Sequence, residues 1–175
     1  MCRETETHGS GIHAHLQRIN DAGNMTSKLL AIRIRRRSVA AAVFSGRHLE
    51  YMDMLHLCNE PEIVTDAVAR FLARILENFK PGDVVLGTSR AAQGERVKSL
   101  TQLTENMLTV EGIPIWRVDD KTLLESYAVP KLKNKDQLRP IVLSFWPHLG
   151  HKQASAFEAA ALGLHLQVDR LLSHH

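Results

Sequence analysis

The sequence lacks most of the features that would take it out of ordinary globular chemistry. It holds two cysteines, Cys2 and Cys58, among 175 residues. That is too few for a disulfide framework, and the expected compartment is the reducing cytoplasm. No apolar run approaches the ~18 residues of a membrane span, and the first residues lack the apolar stretch of a secretory signal. Neither sign of charge dominates: 22 Lys plus Arg face 19 Asp plus Glu, a formal net charge of +3. No internal repeat or low-complexity block occurs. Gly94 is not followed by the Lys-Ser ending of a P-loop, and no nucleophile-elbow motif accompanies a Ser-His-Asp or Cys-His set. These absences exclude a membrane protein, a disulfide scaffold and a fully disordered chain. What remains is one domain with a tail, since 44% apolar and 23% charged residues are ordinary for a globular chain.

Residues 1–26 are rich in glycine, polar groups and histidine (His8, His13, His15) and poor in large apolar groups, so they read as a loose tail. Met25 directly precedes the first convincing strand and is a candidate translation start. The domain is expected over residues 27–173. Leu29 to Ile34, Ser38 to Phe44 and His48 to Cys58 read as three antiparallel strands, the last two joined at Ser45-Gly46-Arg47. Helical spacing follows through Val64, Val68, Phe71, Leu72 and Ile75, with Asn59 as expected cap and Lys80-Pro81-Gly82 as stop. Asp83 to Gly87 is a short buried strand, Gly94 to Val110 a second helix, and Ile113 to Val118 another strand. This alternation is the pattern of parallel crossovers. Helices are expected over Thr122 to Tyr127, Asp136 to Trp146 and His151 to Leu172, the last with Ala154, Phe157, Ala161, Leu164 and Val168 on its buried stripe. Lys131 to Lys135 reads as a basic linker.

Three antiparallel strands, then helix-strand-helix-strand, then terminal helices, is the element order of the RNase H-like fold. In detail the chain resembles RuvC-type Holliday junction resolvases over about residues 28–170. Leu29-Leu30-Ala31-Ile32 resembles their opening strand, Val84-Val85-Leu86-Gly87 their central parallel strand, and Pro114-Ile115-Trp116-Arg117-Val118 the next one. Asn134-Lys135-Asp136-Gln137-Leu138 and Ser155 to His165 resemble their last two helices. A ribosomal-RNA-maturing branch of the superfamily is almost as similar. The resemblance implies an α/β domain built on a mixed five-stranded sheet, three antiparallel strands then two parallel, flanked by helices. It also implies a homodimer, DNA or RNA as partner, and a cleft where carboxylates hold two divalent ions. Mg²⁺ or Mn²⁺ would be bound there through hard oxygen ligands.

The residues at those places do not repeat the acids. Arg33 stands where the first strand should present an aspartate, and Gly87-Thr88-Ser89 where the middle strand should end in an acid. Ser155 and Glu158 hold the two places on the last helix. One of four expected carboxylates remains, and guanidinium groups repel metal ions.

Arg33, Arg35, Arg36 and Arg37 form a candidate phosphate-binding patch, because Arg forks match phosphate oxygens and released counterions drive affinity. Arg90, after the middle strand, and Lys131, Lys133 and Lys135 extend that candidate surface; Arg139 adds a further charge to the second stretch. The plainer alternative is a solvated hairpin end and a solvated linker. Asp119 and Asp120 are candidate acids, with helix capping as the competing role. His148 and His151, joined by His165 or Cys58, lack the four close ligands a zinc site takes. Asp53 and Glu50 read as the wet face of the third strand, and Cys58 as a small buried hydrophobe.

Three functions stand open. The first is a catalytically degenerate RuvC-like domain that binds nucleic acid or serves as a scaffold. The second is an active Mg²⁺- or Mn²⁺-dependent nuclease using relocated acids: Glu158, Asp119 and Asp120. The third is an interaction domain for an acidic protein.

Overall fold

In the computed structural model, residues 27–89, 94–127 and 132–173 are described, the last six of them as backbone only. The expectations on residues 1–26, on Arg90 and on Lys131 fall outside these residues. Strands β1 (Leu29–Arg35), β2 (Ser38–Ser45) and β3 (His48–His56) form an antiparallel meander. Helix α1 (Pro61–Phe79) leads to β4 (Asp83–Thr88), and α2 (Glu95–Val110) leads to β5 (Ile115–Asp119). Helices α3 (Asp120–Ser126), α4 (Leu138–Phe145) and α5 (Ala154–Ser173) complete the described chain. The sheet order is β3-β2-β1-β4-β5, with β4 parallel to both β1 and β5. This is the mixed five-stranded sheet expected from the sequence.

Alternation along the strands divides the interior in two. Leu30, Ile32, Ile34, Val39, Ala41, Val43, Val84 and Leu86 face α1 and α2. Leu29, Ala31, Ala40, Ala42, Phe44 and Val85 face α4 and α5. Period-two strands buried on both faces read as continuous apolar runs, which is why β1, β2 and β4 stand out in the sequence. Ala40 and Ala42 leave little bulk on the second face. Opposite them α5 brings Ala159, Ala160, Ala161 and Gly163, so helix and sheet approach closely. A side chain at Gly163 would overlap the ring of Phe44. Every residue from Ser155 to Leu164 is buried, far more than the expected stripe, whereas Ala154 is exposed. The outer side of α5 is covered by α3 and α4.

Several ends differ from expectation. Asn59 does not cap α1; Glu60 holds the N-cap position without a side-chain capping bond, in extended backbone because Pro61 at the first helical position disfavours helical geometry in the residue before it. Lys80 closes that helix in the left-handed region at φ 47°. Cys58 is exposed, since β3 ends at His56 before reaching it. The expected helix from Asp136 begins as a short 3₁₀ turn, Lys135–Gln137, before α4. His151 belongs to a second such turn, Pro147–His151, and not to α5. No helix among the described residues is long and apolar enough to cross a membrane.

Candidate functional site: an ion cluster beneath a basic cleft

β1 lies between β2 and β4, and its alternation sends Arg33 and Arg35 to the face covered by α5. On α5, Ser155 and Glu158 are one turn apart and also face the sheet. The strand's basic pair and the helix's acid therefore meet in the interior. Glu158 is 1% exposed and Arg33 3%.

Arg33 makes contacts in three directions. Its Nε lies 2.7 Å from Glu158 Oε2, and its Nη2 lies 2.7 Å from Asp120 Oδ1. Its Nη1 donates to the Thr88 carbonyl at 3.4 Å. The two ion contacts are close but not aligned as hydrogen bonds, so they act through charge more than direction. Arg35 grips Glu158 with two donors, Nε at 3.2 Å from Oε2 and Nη2 on Oε1. Lys135 Nζ reaches Asp120 Oδ2 at 3.0 Å. Gly87 gives Arg33 room: a β-carbon there would lie 3.0 Å from Arg33 Nη1 and 3.1 Å from its Cδ.

Local sequence sets the rest of the cluster. Asp119 accepts from the Thr122 amide at 2.8 Å and caps α3, the role expected of one acid of the pair. Asp120 is the first residue of that helix and turns to Arg33 instead. Lys135 is not on a solvated linker. Asn134 accepts from the Gln137 amide, Gln137 Oε1 accepts from the Asn134 amide, and this capping box fixes the turn that carries Lys135. Lys133 is exposed beside it. Arg139 donates to the Gly150 carbonyl at 2.7 Å and lies over the Phe157 ring, apart from the cluster.

Electrostatics follow the geometry. Burial pushes the Arg33 guanidinium below its ordinary value while Asp120 opposes the shift; an arginine stays charged regardless. Burial and the neighbouring Arg33 lower Arg35 in the same way. Burial and Arg33 also lower Lys135, against the pull of Asp120. For Asp120, burial opposes ionisation, but Arg33, Lys135 and Ser89 together outweigh it and hold the carboxyl below its ordinary 3.8. A depressed carboxyl stabilises the fold above its unfolded value, and that contribution is lost as pH falls through the folded one. Wild type is therefore expected to be more stable than Asp120→Asn at neutral pH, with the gap closing below about pH 3.8. Urea titrations across pH check this, and a gap that persists in acid would refute it.

A cleft of about 590 Å³ opens above the cluster. Arg33 and Arg35 form its floor, Arg36 and Arg37 its β1–β2 rim, Lys135 one wall, and Ser155 and Gln153 the start of α5. Arg36 and Arg37 lie in the exposed turn after β1, at the hairpin end. None of the described residues lining the cleft is acidic. Ser155 shares a 3.1 Å hydrogen bond with Ser38 and touches Met54 Sδ at 2.9 Å, a buried polar contact that sequence spacing gave no sign of.

Of the candidate acids, Asp120 and Glu158 share the cluster through Arg33, while Asp119 is occupied as a cap. Glu50 pairs with Lys28 at 2.7 Å, and Asp53 pairs with Arg74 at 2.9 Å, both at the surface. His148 and His151 are exposed, and among the described residues no three His, Cys, Asp or Glu side chains gather as metal ligands would.

No family model and no curated protein matches the chain. Solved structures do. Thermus thermophilus RuvC bound to a Holliday junction aligns with a TM-score of 0.69 at 13% identity, covering 83% of this chain and 96% of that one. The yeast mitochondrial Holliday junction resolvase aligns at 0.56 and 13%, covering 92% and 89%. The fowlpox virus resolvase bound to junction DNA aligns at 0.56 and 15%, covering 82% and 99%. At such identities the likeness establishes the fold: a mixed sheet with flanking helices, arranged as in RuvC-like resolvases of the RNase H fold.

Proposed function

We propose that this chain binds nucleic acid through the basic cleft and does not cut it by the two-metal route of RuvC-type resolvases. The observation carrying this reading is Arg33, whose guanidinium contacts both Asp120 and Glu158. The residues do not fit a pair of divalent ions. Each carboxylate already faces two cationic side chains, Glu158 with Arg33 and Arg35, and Asp120 with Arg33 and Lys135. The cluster's three cations outnumber its two acids, so an entering ion meets net repulsion. The same excess suits phosphate, and Arg36 and Arg37 at the rim add two exposed guanidinium forks. The solved RuvC and fowlpox resolvase complexes with Holliday junctions make four-way DNA the first probe.

Fluorescence anisotropy with a labelled four-way junction, a single strand and an RNA hairpin, each titrated with salt, tests the binding. Affinity is expected to fall linearly on a log–log salt plot. Arg36→Ala with Arg37→Ala should weaken binding to all sequences alike and reduce the slope by about 2, near one unit per lost phosphate contact. An unchanged slope would remove the rim arginines from the reading. Incubation of the same junction with Mg²⁺ or Mn²⁺ should leave it intact; Mn²⁺-dependent strand scission abolished by Asp120→Asn would instead favour relocated acids. Failure to bind any nucleic acid, with retention of an acidic peptide, would favour a protein partner.

A further inference from the structure

We infer that Arg33 is a resident cation: its guanidinium fills the place between Asp120 and Glu158 that a free cation would occupy, and it keeps divalent ions out. This holds whether or not the cleft binds nucleic acid. Two carboxylates from separate elements, the start of α3 and the second turn of α5, converge on one positive group with near-equal 2.7 Å contacts. Oxygens brought in from different segments around a single cation are what a hard-metal centre requires. Here the cation is tethered to the central strand and cannot dissociate.

Three further observations support the assignment. The Arg33 Nε that faces Glu158 and the Asp120 Oδ1 that faces Arg33 Nη2 are both buried, so each contact is a close pairing of charge away from water. The Arg33 side chain lies against Gly87, where an added carbon would overlap Leu162 Cδ1 and crowd Arg33 Nη1 and Cδ, so the strand end keeps room for both side chains. The remaining Arg33 nitrogen, Nη1, donates to the Thr88 carbonyl, another oxygen of the sort that coordinates cations. Arg35 and Lys135 then act as outer counter-charges, each on one carboxylate.

The test uses Mn²⁺ as probe, read by electron paramagnetic resonance of the free ion and by thermal unfolding of the full chain. Wild type should take up no Mn²⁺ saturably and show no shift in Tm. Arg33→Asp combined with Arg35→Gln removes two cations and adds a carboxylate. This variant should bind one Mn²⁺, gain Tm as the ion saturates, and lose both effects when Asp120→Asn is added. A variant that folds only with Mn²⁺ counts as the same result. If it does not fold at all, Arg33→Ala takes its place, with methylguanidinium as ligand. Methylguanidinium should raise its Tm, and not that of wild type. Saturable Mn²⁺ uptake by wild type that Asp120→Asn abolishes would overturn the inference. So would a folded Arg33→Asp, Arg35→Gln variant indifferent to Mn²⁺, or a folded Arg33→Ala variant indifferent to methylguanidinium. Loss of nucleic-acid binding in the anisotropy assay leaves these readouts unmoved, so nucleic-acid binding and this inference fail separately; the absence of two-metal cutting rests on the same Arg33 contacts.

Discussion

Glu158→Ala is expected to destabilise the protein by about 3–5 kcal/mol, the range for breaking a buried ion pair by removing one partner. The carboxylate is 1% exposed and faces two guanidinium groups. Deleting it leaves Arg33 in the interior with Asp120 as its only acid. Arg35 fares better, because its side chain is 38% exposed and can turn to water. Asp120→Ala should cost less, about 1–3 kcal/mol, since its partner Lys135 is likewise part-exposed and can be solvated. Arg33→Met with Glu158→Leu removes both charges and keeps apolar volume, so it should recover most of the loss. Urea denaturation of wild type, Arg33→Met, Glu158→Leu and the double variant gives the coupling energy directly. Costs that add to within about 0.5 kcal/mol would show that Arg33 and Glu158 do not act as a pair.

Phe44→Ala should cost about 3–5 kcal/mol, the usual penalty for emptying a buried ring. Phe44 is fully buried, meets Trp146 in a tilted ring contact at 5.7 Å, and lies over Gly163. The reverse change is equally informative. Gly163→Ala gains about 1 kcal/mol of helix propensity but forces a methyl into the ring, so a net loss of about 1–3 kcal/mol is expected. Pairing Gly163→Ala with Phe44→Leu should return part of that loss by making room. Thermal unfolding of the two singles and the double decides it. A Gly163→Ala protein as stable as wild type would mean the helix shifts freely on the sheet.

The sheet was legible because β1, β2 and β4 are short apolar runs and α1 has a clean helical period. Helix α5 was harder: its small residues, Ala159 to Ala161 and Gly163, are buried on nearly all sides, and alanine carries little periodic signal. The site was legible as composition and not as contact. Arginine at 33 and glutamate at 158 occupy places that the RuvC resemblance puts side by side, and opposite charges at neighbouring places are the signature of an ion pair. From the sequence, Arg33 was expected in a phosphate-binding patch or a solvated hairpin end, and Glu158 as a candidate acid alongside Asp119 and Asp120. Lys135 was taken for linker because its position depends on the reciprocal bonds of Asn134 and Gln137, neither conspicuous alone. The exposure of Cys58 turns on where β3 ends, which apolar content does not mark.

Arg33 rides on the strand bonded on both sides and covered on both faces. Backbone amides in such a strand exchange with deuterated solvent only when the whole domain opens. The cluster's central charge is thus set in the slowest-exchanging part of the molecule, whereas Arg36 and Arg37 sit three and four residues further along, on an exposed turn that exchanges readily. A ligand entering the cleft meets an adaptable edge above a floor whose backbone opens only with the whole domain.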